Sequence, residues 1–138
     1  ANASILASDV FCSRLGLETV QPTMAYGRTN GRAGFHIMDA PNSDDIELLS
    51  GIGAAGVQVI CVVTDSELSQ ANPMIPTLLI STTPGTAADL HLSGDAAHDP
   101  QALLELCASC VCGDYEPCLN SSELTAFQLA RGRLGCSL

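Results

Sequence analysis

The apolar positions between residues 34 and 83 fall into blocks separated by polar, glycine-containing punctuation. GVQVICVVT (56–64) and PTLLISTT (76–83) are continuous runs rich in β-branched residues, the pattern of strands covered on both faces of a parallel sheet. GFHIMDA (34–40) is a third, shorter strand candidate. Between it and the next strand, PNSDDIELLSGIG changes period, with Ile46, Leu49 and Ile52 recurring on one face of a helix. Asn42 or Ser43 can cap that helix, Asp44 and Asp45 fall in its positive first turn, and Gly51 or Gly53 would end it. Strand 34–40, helix 43–52 and strand 57–64 follow βαβ order, and a further strand is expected near 77–82. DPQALLELCASCVCG (99–113) predicts a second, longer helix begun by Asp99-Pro100. The expected fold is therefore α/β, three-layer, with a mainly parallel sheet and flanking helices. Short turns and the lack of any internal repeat predict one domain over 1–138.

The composition narrows the partners. A chain of 138 residues with 46% hydrophobic content and a mean hydropathy of +0.27 is expected to bury its own core. Its apolar runs, such as Gly56 to Val63, are far too short for a membrane span. Five arginines, no lysine and fifteen acids give a net charge of −10, so no basic patch can neutralise a phosphate backbone, and nucleic acid is not an expected partner. The lack of lysine also removes Schiff-base chemistry. An anionic substrate would have to rely on arginine, backbone N–H groups or a metal ion. The start ANASILASDVFCS has no basic residue ahead of a long apolar stretch, which predicts a cytoplasmic chain with reduced thiols.

CASCVCGDYEPC (107–118) packs four of the seven cysteines into twelve positions. On the helix begun at 99–100, Leu103, Leu104, Cys107, Cys110 and Val111 follow the spacing of a buried stripe, which makes Cys107 and Cys110 small core residues. Cys112 and Cys118 fall at the helix end and in the turn beyond it. The spacing CxxCxCx5C lacks a second Cys or His knuckle, so packing is preferred over a metal or cluster site and over a redox role.

Candidate chemistry gathers at strand ends. His36-Ile37-Met38-Asp39-Ala40-Pro41 runs from a strand into a helix, where α/β sheets place ligands. Asp39 is the best-placed acid, with capping of the helix or closure of the Pro41 turn as its structural alternative. For His36 the alternative is a satisfied core histidine. Asp65-Ser66-Glu67 follows the strand 56–64, so Asp39 and Asp65 could converge across neighbouring strands to bind a divalent ion or share a proton. His91 and His98 are expected in solvated loops, at a spacing that fits neither HxxxH nor HExxH.

Taken in order, Ala25-Tyr26-Gly27-Arg28, Met38-Asp39-Ala40-Pro41, Gly53-Ala54-Ala55-Gly56, the strand ending at Thr64 and Pro76-Thr77-Leu78-Leu79-Ile80-Ser81-Thr82 resemble the C-terminal part of the altronate and galactarate dehydratases, the UxaA family. That family shows "YGER", "MDTP", an Ala/Gly-rich turn, a strand ending in "TTGRG" and a strand like "PVIKIST". The likeness covers about residues 20 to 95 and extends loosely over the last forty. It implies a hydro-lyase that removes the proton beside a sugar acid's carboxylate and expels the neighbouring hydroxyl. It also implies Asp39 and Thr64 as catalytic residues, and His36, Ser66 and Asn72 as substrate-binding residues. No cofactor is expected on this chain alone; a divalent metal, iron or manganese, would serve the complete enzyme. The implied partners are a small hydroxy-acid substrate and other domains or a subunit of a dehydratase, and the reading admits a homo-oligomer. One departure stands out: the "TTGRG" positions hold Thr64-Asp65-Ser66-Glu67-Leu68, replacing an arginine with acid. The alternative is a noncatalytic small-molecule-binding or assembly module that kept the fold and lost the site.

Overall fold

The computed structural model describes residues 23–29, 31–40, 44–65, 70–92, 100–121 and 125–127. Helix α1 spans Asp45–Ala54. Its cap is Asp44, whose carboxylate accepts the Glu47 N–H at 3.0 Å, while Asp45 and Glu47 occupy the first turn. The expected caps, Asn42 and Ser43, lie outside the described residues. Leu49 is buried and Ile46 and Ile52 are half-buried, as the helical period predicted.

Gly51 and Gly53 do not end α1; they lie inside it because other side chains press on the helix there. A Cβ at Gly51 would stand 2.1 Å from Tyr26 Cε2, and one at Gly53 would stand 2.8 Å from Ile75 Cδ1 and 3.2 Å from Asn72 Nδ2. The Tyr26 hydroxyl then donates to the Glu47 carbonyl at 2.5 Å, so the 25–28 segment is fastened to the helix by both ring and hydroxyl. The helix stops at Ala55 and Gly56, where Gly56 adopts φ +90°, open to glycine at no steric cost.

Among the described residues the sheet has three strands, β1 (Ile60–Thr64), β2 (Thr77–Ser81) and β3 (Leu90–His91), in the order β1-β2-β3 and all parallel. β2 is central and buried at every position, as its apolar run predicted. β1 is an edge strand: Ile60 is buried, but Cys61 is exposed and Val63 is 60% exposed. Its continuous apolar run therefore overstated its coverage. Helix α2 spans Pro100–Cys112, in agreement with the expected second helix, and a single turn, α3, spans Cys118–Ser121.

Two expectations need correction. The segment 34–40 is not a strand of this sheet. It makes one parallel bridge, Met24 to Met38, with the Met24 N–H donating to Ile37 O at 2.7 Å and the Asp39 N–H to Met24 O at 2.8 Å. Phe35 is 44% exposed and Asp39 is exposed, so the segment lacks the two-sided burial that a central parallel strand needs. The βαβ unit is thus present only as its helix and second strand. On α2, Cys110 is buried and Leu103 and Cys107 are half-buried, but Leu104 and Val111 face solvent, so the apolar stripe is narrower than its spacing suggested.

The core gathers Ala71, Leu79 and Leu119, with Val62, Ala88 and Cys118 packed against it. Two polar struts brace it. The fully buried Asn72 donates from Nδ2 to Leu49 O at 3.2 Å and accepts the Met74 N–H on Oδ1 at 2.9 Å. Asn120 returns the connection, donating to Asn72 O at 3.0 Å and accepting the Thr77 N–H at 2.9 Å, which ties α1, β2 and α3 together. Among the described residues no helix is long and apolar enough to cross a membrane.

The Tyr26–Gly51 contact sets a test. Gly51→Ala should lower the stability of the chain by about 1–3 kcal/mol in urea titration, because the ring must leave its seat. In a Tyr26→Ala background the same change should cost nothing, or gain up to ~1 kcal/mol of helix propensity. Equal costs in both backgrounds would contradict this packing.

Candidate functional site at the carboxyl edge of the sheet

Ligand sites of parallel sheets lie beyond the carboxyl ends of the strands. Here those ends carry three polar residues in one register: Thr64 pairs with Ser81, and Ser81 with His91. Registered neighbours in parallel strands project to the same face, so hydroxyl, hydroxyl and imidazole form one row. Ser81 is 1% exposed. Its hydroxyl donates to Thr83 O at 3.1 Å and accepts from the Thr83 N–H at 3.0 Å and the Thr86 hydroxyl at 2.6 Å. The Thr83 hydroxyl in turn donates to Asp65 O at 3.2 Å, joining the turns beyond β1 and β2. His91 Nδ1 is buried and has no hydrogen-bond partner among the described residues. A buried ring nitrogen left unpaired costs free energy and calls for a polar partner.

Of the residues singled out in the sequence, Thr64 stands in this row, whereas Ser66 and His98 lie outside the described residues. Asp39 and Thr64 are not on neighbouring strands, since the 34–40 segment bridges only to Met24. For the same reason Asp39 does not converge with Asp65 across adjacent strands. His36 has Nε2 3.0 Å from Arg32 O and lines a cavity of about 320 Å³ with Met24, Met38, Leu48, Ile52 and Val57; Thr64 is not part of that lining. Asn72 is fully buried, with its amide engaged on Leu49 and Met74, and it supports the fold rather than opening on the edge.

The sequence pattern places His91 in a loop because two residues of strand are too few for any period to register. The signal was the flanking pair Leu90 and Leu92 around a polar residue, which is an alternation cut off after one step.

Next to His91, Asp89 organises a second polar group. Its Oδ2 accepts the Leu79 N–H at 2.7 Å, and its Oδ1 accepts the Cys118 N–H and the Tyr115 hydroxyl, both at 2.8 Å. The hydrogen bond to Asp89, helped by burial, pushes the Tyr115 phenol up to about 12. Burial, then the Asp89 charge, raises Cys118 and Cys110 as well. The carboxylate is thus surrounded by groups held in their protonated, donating forms. Among the described residues no three His, Cys, Asp or Glu side chains are grouped as a cation's ligands are.

Asp89→Asn should destabilise the chain by about 2–3 kcal/mol, since one carboxylate oxygen becomes an amide that cannot accept. It should also return the Tyr115 ionisation from about 12 towards its ordinary 10.0, read by the ultraviolet absorbance of the phenolate in a Tyr26→Phe background. The sign is fixed: Tyr115 stabilises the fold fully below pH 10 and loses that contribution as pH rises towards 12. A phenolate titration unchanged by Asp89→Asn would overturn the assignment.

Comparison of the chain with known protein families, with curated proteins and with solved structures finds no match.

Proposed function

We propose that this chain is a C-terminal-type domain of a sugar-acid dehydratase of the altronate and galactarate kind, a hydro-lyase whose site is completed by another domain or subunit. The observation that carries the reading is the row Thr64, Ser81 and His91 at the carboxyl edge of a parallel sheet, in the stretch where the sequence resembles that family. A hydroxy acid offers hydroxyl donors and acceptors to match it. Thr64 hydrogen-bonds a substrate hydroxyl, and the His91 imidazole, with its buried Nδ1, is the proton-transfer group of the row. Asp39, the base suggested by the resemblance, acts in this reading from outside the sheet.

Two further features belong to the proposal. The described edge carries no arginine, and Asp65 is exposed beside it, so the substrate carboxylate requires a cation supplied from elsewhere. The described residues also do not fit a divalent ion, and no step is assigned to one. A three-layer arrangement is supported by the consecutive residues Cys61 and Val62, which project to opposite faces: Cys61 meets Cys107 of α2, and Val62 meets the cluster holding Leu119 of α3. Placement in the cytoplasm completes the reading. The acidic turn at Asp65 favours the second reading, a noncatalytic binding or assembly module.

Titrating galactarate or altronate into the isotope-labelled chain should shift the amide signals of Thr64, Ser81 and His91 in a saturable way. Thr64→Val and His91→Leu should each weaken binding about tenfold, near 1.4 kcal/mol. Shifts confined to other residues, or none at millimolar ligand, would refute the site. The chain alone should release no 2-keto-3-deoxy acid; turnover abolished by Asp39→Asn would show instead that the site is complete here.

A further inference from the structure

Cys61 lies on the edge strand β1 and Cys107 on α2, 46 residues later, with their sulfurs 3.6 Å apart. Both are free thiols. We propose that Cys61 and Cys107 are a reversible dithiol pair, converted by exchange with a low-molecular-weight disulfide such as oxidised glutathione into a disulfide that ties α2 to β1. Closing the gap from 3.6 Å to the ~2.05 Å of a disulfide brings the two sulfurs about 1.5 Å nearer.

The surroundings single out this pair among the described cysteines. Cys110 is buried, Cys118 is directed at Asp89 with its sulfur 3.5 Å from Oδ2, and Cys112 stands at the exposed end of α2. Among the described cysteines only Cys61 and Cys107 have their sulfurs in contact and also offer solvent access, Cys61 being exposed and Cys107 half-buried. The gain from linking them is also clear. Of the thirteen residues of α2 only Cys110 is buried, so the helix is thinly anchored. A bond across a long loop restricts the unfolded chain most.

The order of events follows from acidity. Partial desolvation of its sulfur in an otherwise exposed residue, then the hydrogen bond and charge of Cys107, push the Cys61 thiol up to about 12, so Cys61 is a poor first nucleophile. Cys107 gives its proton to solvent and attacks one sulfur of the glutathione disulfide, breaking that S–S bond and releasing one glutathione thiolate. Cys61 then gives its proton to solvent and attacks the Cys107 sulfur, expelling the second glutathione. Two electrons pass from the protein thiols to the glutathione disulfide, and an excess of dithiol reverses both steps.

The test uses the whole chain. After incubation with oxidised glutathione, blocking of remaining thiols and cleavage at Glu67 and Glu105, tandem mass spectrometry should find Cys61 joined to Cys107 and two of the seven thiols lost per chain. Dithiothreitol should restore both. Cys61→Ala, at an exposed position that tolerates it, and Cys107→Ala should each abolish the link, while Cys112→Ala leaves it intact and matched melting curves confirm that each variant is folded. A link from Cys61 to Cys110, links between chains, or glutathione retained on Cys112 without an internal bond would overturn the proposal. Each of these readouts is independent of sugar-acid binding, so the dehydratase reading and the thiol pair can fail separately.

Discussion

The Asp89 carboxylate is the interaction on which the arrangement of the sheet and its last helix depends. It sits just before β3 and takes a backbone N–H from β2, another from the first residue of α3, and the Tyr115 hydroxyl from the turn between α2 and α3. The Asp89 N–H donates to Leu79 O at 2.8 Å, so backbone and side chain grip the same residue of β2. β3 is only two residues long and could not hold its register through ladder bonds alone. The carboxylate supplies the missing strength, because charged acceptors make the stronger hydrogen bonds and a half-removed set leaves buried donors stranded. His91 keeps its place beside Ser81 through this anchor two residues earlier.

The sequence was informative where burial and period agree. The run 76–83 is apolar because β2 is covered everywhere, and α1 repeats its apolar face because one side packs and the other does not. It misled where a run of β-branched residues occupied an edge, as in β1, and where glycines inside α1 looked like stops. Those glycines record a tertiary contact: Tyr26 and Asn72 press on α1 from segments 25 and 19 residues away from Gly51 and Gly53, and no local pattern announces such a partner. The 34–40 segment failed for the converse reason, since its local pattern fits a strand while its partner lies with Met24 outside the sheet.

The candidate site was legible in part. The resemblance implies Thr64, and the sheet carries that residue at the carboxyl end of β1, on the edge to which parallel strands direct their ends. Along the chain Ser81 reads as part of a buried strand and His91 as a loop residue, because a row of three side chains from three strands is a property of register and leaves no local trace. The resemblance implies Asn72 as a substrate ligand, yet its amide braces α1 against the loop that precedes β2.

β1 joins the two sites. Along a strand, side chains alternate between faces, so Ile60, Val62 and Thr64 share one face and Cys61 and Val63 the other. The polar edge therefore opens on the face where Val62 meets Leu79 and Leu119, while the Cys61–Cys107 pair lies on the reverse face, against α2. A disulfide formed there would not cover Thr64. It would still act on it, because among the described residues β1 is hydrogen-bonded to β2 alone, and a covalent tether three residues upstream limits how far the carboxyl end of β1 can fray from Ser81. The thiol pair and the polar row thus meet in the same five-residue strand without competing for the same surface.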